Sequence, residues 1–116
     1  MIAFARKSRI LRGALWFLLF SLGYVGTLAW AAESHQVVQR IREFNLKELT
    51  VATGDTVNFI NDDEFIHQIY VESRRFNFDS PESAPGTIIE LKFTAPGSYE
   101  ILCHIHPKML LHVTVQ

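Results

Sequence analysis

The residues with the greatest chemical capacity stand together near the C-terminus, in the run Cys103-His104-Ile105-His106-Pro107-Lys108-Met109. Cys103 closes an alternating stretch in which Tyr99, Ile101 and Cys103 share one face, so its sulfur is directed to the core. His106 and Met109 follow at intervals of three. A tight loop between two strands therefore brings a thiolate, an imidazole and a thioether to one point. Upstream, His67 occupies the first inward position of the alternating run His67–Val71, and it reaches the same point if the two strands are neighbours. Two imidazoles and a thiolate with a weak axial thioether are the donor set of a blue-copper electron-transfer centre. Soft sulfur favours Cu(I), while imidazole serves both oxidation states. Catalytic zinc has a different signature, three protein ligands and an open water position. His67, Cys103, His106 and Met109 are thus the expected ligands of one copper ion.

The other histidines read differently. Alternation turns His104 away from Cys103, to the surface or to a place just behind the ligands. His112 faces outward on the last strand, and His35 is expected to be disordered. Asp62, Asp63 and Glu64 precede His67 and lie near the copper end, either as a solvated turn or as an acidic patch that steers a basic partner. Asn61 is expected to hold that turn through side-chain bonds to the backbone.

The elements that must position these residues have a period of two. Val57 and Phe59, then Ile89, Leu91 and Phe93, then Leu111, Val113 and Val115 each alternate with polar or small neighbours. Gly54-Asp55 and Pro96-Gly97 mark turns. Short alternating strands separated by turn residues predict an all-β sandwich, and no helical period appears after residue 43. Residues 32–43 form a lead-in or a first strand, and residues 44–116 the sandwich domain. Residues 73–87, rich in Ser, Pro, Asp and Glu, read as a long connection with room for one helical turn.

The first 31 residues belong to another class. Arg6, Lys7, Arg9 and Arg12 form a basic start, an uncharged apolar run extends from Gly13 to Ala32, and Ala29-Trp30-Ala31 is a small-x-small cleavage pattern. This is the grammar of a secretory signal peptide, cut after Ala31. Uncleaved, the same 20-residue run is long enough to anchor the chain in a membrane. The formal net charge of −1 is then a sum of unlike parts, because the leader holds four of the 11 basic residues and none of the 12 acidic ones. That balance argues against a general nucleic-acid binder. One Cys excludes an internal disulfide. Copper ligation gives an exported thiol, otherwise prone to oxidation, a reason to be free. It also offers reinforcement to a domain of about 85 residues with a marginal core.

The segment Gly54-Asp55-Thr56-Val57-Asn58-Phe59-Ile60-Asn61, then His67, then Pro96-Gly97-Ser98-Tyr99-Glu100-Ile101-Leu102-Cys103 and the His-Pro-x-Met loop, resembles the plastocyanin/azurin family of cupredoxins. The spacing Cys-x2-His-Pro-x-Met is most similar to that of the amicyanin type. The resemblance spans about Phe44 to Gln116. It implies a Greek-key β-sandwich with type 1 copper at one end, His67, Cys103, His106 and Met109 as ligands, and the exposed edge of His106 as the electron port. It further implies one-electron transfer in the periplasm, as a monomer, with a c-type cytochrome or a dehydrogenase as partner. Copper trafficking or storage is the alternative function, and no enzymatic constellation stands out. The sequence departs from the family at Gln68, where Asn is common, at His104, where a small residue or Thr is common, and at Leu110-Leu111, where Gly is common.

Overall fold

Alternating apolar residues need a second apolar face to bury them, and this chain supplies it by building two sheets. The structure, a computed structural model, describes residue 26 and residues 31–116. The expected leader lies outside the described residues except at residues 26 and 31. The strands are β1 (Ser34–Arg40), β2 (Glu43–Phe44), β3 (Glu48–Val51), β4 (Thr56–Asn61), β5 (Tyr70–Val71), β6 (Phe78–Asp79), β7 (Ile88–Lys92), β8 (Gly97–Leu102) and β9 (Leu110–Val115). One sheet has the order β2-β1-β4-β7 and the other β3-β9-β8-β5-β6. The pairs β1–β4 and β3–β9 are parallel, and the remaining pairs are antiparallel. This is the β-sandwich the sequence predicts, with no helix among the described residues.

The inward positions read from period two are the buried ones. Val57, Phe59, Phe93, Ile101 and Leu111 are wholly buried, and Leu91, Tyr99, Val113 and Val115 nearly so. Phe44 meets Phe59 edge-on at 5.9 Å, and Phe76 closes over Phe93 and Tyr99. The Tyr99 hydroxyl donates to the Ala95 carbonyl at 2.9 Å, which satisfies the one polar atom of a buried ring.

The lead-in holds a strand, β1, one of the two readings of that segment, paired with β4 from Ser34↔Thr56 to Gln39↔Asn61. Three details differ from the sequence reading. His35, expected to be disordered, lies in β1 with Nε2 3.0 Å from Asp55 Oδ2. The buried Asp55 carboxylate explains this order, since Oδ1 also accepts the Glu33 amide and Oδ2 the Ala52 amide. Those two amides and His35 hold its carboxyl down, from 3.8 to about 2. The connection 73–87 contains β6 rather than a helical turn. The run from His67 is a strand only at Tyr70–Val71, and His67 itself sits in an isolated bridge with Ser83.

The β1–β2 hairpin turns through Ile41 and Arg42, both at positive φ (54° and 56°). Such two-residue turns favour Asn-Gly, because a β-branched side chain crowds the left-handed backbone. Ile41 is 78% exposed, so its side chain contributes almost no packing in return. Ile41→Asn is therefore expected to stabilise the domain by about 1 kcal/mol, read as a raised urea midpoint with unchanged slope. An unchanged midpoint would mean that the turn relaxes without the substitution.

Candidate metal centre

Two loops meet at the end of the sandwich where β4 and β8 finish. The first, residues 62–69, is shaped by Asn61 as expected. Its Oδ1 accepts the Asp63 amide at 3.0 Å, and its Nδ2 donates to the carbonyls of Phe65 (2.9 Å) and Ser83 (2.8 Å). A buried amide with these partners fixes the loop's path without any regular strand. Ser83 then grips His67 from both sides, through His67 N–H to Ser83 O (3.0 Å) and Ser83 N–H to His67 O (2.7 Å). The second loop, residues 103–109, is closed by the Met109 amide, which donates to the His106 carbonyl at 3.0 Å.

These loops bring His67, Cys103 and His106 together, with one donor atom of each within 4.8 Å of the others. His67 Nδ1 and His106 Nδ1 face one another at 3.2 Å, and Cys103 Sγ is 4.0 Å from His106 Nδ1. Two imidazole nitrogens sharing one first-row ion at about 2 Å each would be separated by a similar distance. His67 is wholly buried, Cys103 and Met109 are 1% exposed, and the His106 ring is partly open to solvent. Met109 lies in the same buried cluster as Cys103.

The carboxylate behind His67 was not singled out by sequence. Asp63 Oδ2 accepts hydrogen bonds from His67 Nε2 at 2.9 Å and from the Arg42 amide at 2.8 Å. An anion on Nε2 keeps the proton there and leaves the Nδ1 lone pair free to bind a metal. Burial opposes ionisation of Asp63, but the Arg42 amide and His67 outweigh it and lower its pKa to about 2. Three consecutive acids precede His67, and nothing in the sequence distinguishes the one that turns inward. At His106, burial, then His67 and Arg42, lower the pKa and favour the neutral, metal-binding ring.

Gln68, one of the positions where the sequence departs from the family, braces the two loops. Its Oε1 accepts the His104 amide at 3.1 Å, tying one loop to the other. Its Nε2 donates to the carbonyls of Ile69 and Ser80 and to Asp79. His104 points away from the cluster, stacked on Tyr70 with ring centroids 3.7 Å apart. His112 is exposed. Phe65, Ile66 and Ile105 are large apolar residues left exposed at this end, and Phe65 packs edge-on against His106.

A donor set of two imidazoles and a thiolate, on a loop that Met109 closes, fits copper better than a hard cation. Comparison with known proteins agrees. The family of copper-binding proteins described as plastocyanin/azurin matches residues 32–116. The chloroplastic plastocyanin of Chlamydomonas reinhardtii is 36% identical over 73 residues, covering 55% of this chain and 50% of that protein. The chain thus spans about half the length of that relative. Among solved structures, a reduced single-substitution variant of amicyanin is similar at TM-score 0.67 and 27% identity, over 75% of this chain and 86% of that one. The Cu-containing nitrite reductase of Thermus scotoductus is similar at TM-score 0.67 and 29% identity, over 79% of this chain but only 24% of that one.

Proposed function

Because the chain belongs to the plastocyanin/azurin family of copper-binding proteins, we propose that it is a type 1 copper protein carrying single electrons between redox partners. His67, Cys103, His106 and Met109 would hold the copper ion in this reading. Copper, when bound, supplies the couple between Cu(I) and Cu(II). The carrying observation is the convergence of His67 Nδ1, His106 Nδ1 and Cys103 Sγ from two braced loops.

The residues divide the work. Asp63 orients the His67 ring and retains its distal proton, so ligand geometry changes little between oxidation states. Asn61 and Gln68 hold the two loops in register, which limits rearrangement during transfer. His67 and Cys103 are shielded from water, whereas the His106 ring reaches the surface. Its exposed edge is the port for the electron, and the apolar residues around it let a partner approach closely. The partner is a periplasmic redox protein such as a c-type cytochrome or a dehydrogenase, and the protein works as an exported monomer.

Electron transfer is supported over copper storage by the placement of the spare histidines. His104 stacks on Tyr70, and His35 pairs with Asp55, so neither adds to the donor cluster. A reaction on a small substrate is less well supported, since the amicyanin structure is matched over 86% of its length whereas the nitrite reductase is matched over only 24%.

The test is redox cycling of the copper-loaded protein. One equivalent of a one-electron reductant should bleach the visible band, and one equivalent of oxidant should restore it, with copper retained through repeated cycles. Loss of copper to a competing acceptor on each reduction, with slow self-exchange, would overturn this reading in favour of trafficking.

A further inference from the structure

We propose that Glu33, His35 and Asp55 form a second cation site, for a divalent ion of the Zn(II) class, at the end of the sandwich remote from the first cluster. One donor atom from each of the three lies within 4.8 Å of the others. Strand β4 begins at Thr56, beside Asp55, and ends at Asn61, in the loop that carries Asp63. Six residues of strand place the two clusters about 20 Å apart.

The donor types select the ion. One imidazole and two carboxylates offer no sulfur, so they suit Zn(II) or an oxidised copper ion and are poor for Cu(I). Asp55 is 4% exposed, and two backbone amides hold its carboxylate in place. His35 Nε2 already stands 3.0 Å from Asp55 Oδ2, near the spacing of adjacent donors on one tetrahedral ion with bonds of about 2 Å. The ion therefore replaces one hydrogen bond and leaves the two amide contacts in place. Glu33 is exposed, so it closes the cluster from the solvent side, where water completes the coordination.

Charge points the same way. The cluster holds two carboxylates, and among the described residues its ion pair is His35 with Asp55, with no Lys or Arg joining it. A dication supplies what that balance lacks. The site also has a structural consequence. Glu33 and His35 flank the point where the parallel β1–β4 pairing begins, Ser34↔Thr56, and Asp55 belongs to the turn before β4. A shared ion clamps the start of β1 to that turn and stabilises the folded chain by mass action.

The experiment uses copper-loaded protein, so that the His67/Cys103/His106 cluster is occupied, and Zn(II) as the probe. Calorimetry should show one further equivalent of Zn(II), the melting temperature should rise with Zn(II) concentration, and the visible copper band should not change. His35→Ala and Glu33→Gln should each weaken Zn(II) binding by more than about tenfold and remove the thermal shift, with the copper band intact. No saturable Zn(II) binding, or binding by both variants as strong as by the native protein, overturns the proposal. Glu33 is an exposed side chain, so its variant carries the test even if His35→Ala fails to fold. The zinc and copper readouts are separate, so failure here is distinct from failure of the electron-transfer reading.

Discussion

Cys103→Ser is expected to abolish the intense visible absorption that the protein develops with Cu(II), essentially in full. That absorption requires charge transfer from a thiolate, and Cys103 is the chain's only cysteine. A serine hydroxyl is nearly the same shape but remains protonated and is a hard donor, so it cannot replace the soft sulfur. The fold should survive, because Cys103 lies just past the end of β8 in a core held by Ile101, Leu111 and their neighbours. Far-ultraviolet circular dichroism of the variant should match the native protein while the visible band is absent. A band that persists in Cys103→Ser would show that the metal is held elsewhere.

Removing the carboxylate behind His67 should have the second largest effect. Asp63→Ala leaves the His67 Nε2 proton without its acceptor in a wholly buried ring. Losing such an oriented partner lowers metal affinity by about 10–100-fold. An orphaned buried donor also destabilises the fold by about 1–3 kcal/mol. The Arg42 amide loses its acceptor at the same time, which loosens the β1–β2 turn from the loop. Competition with a chelator of known affinity measures the first effect, and urea denaturation of the apo-protein the second. A merely structural role predicts lower stability with copper affinity unchanged. Asp63→Asn is the discriminating variant, because its carbonyl oxygen still accepts the His67 proton and should recover much of the affinity.

The sandwich was legible because burial has a two-residue period in strands. Val57/Phe59, Ile89/Leu91/Phe93 and Leu111/Val113/Val115 face inward as their alternation requires. Where the backbone leaves regular pairing, the same rule loses its hold. His67 is inward-facing through a bridge to Ser83, which lies 16 positions further along the chain, rather than through a strand of its own. His35 is ordered by Asp55, 20 residues away, an interaction with no local signal. The left-handed pair Ile41-Arg42 carries no glycine or asparagine to announce a turn, so the hairpin was invisible in the sequence.

The order of residues along the chain sets the kinds of donor available and half of their arrangement. Cys103, His106 and Met109 are close in the chain, and a three-residue spacing in a tight loop leaves them few places to go. The packing of the sheets decides that His67 joins Cys103 and His106, which acid stands behind it, and that Gln68 locks the two loops together. The reason is physical. Short-range steric and hydrophobic preferences are written into neighbouring residues, whereas His67 to His106 spans 39 positions and depends on how the sheets pack.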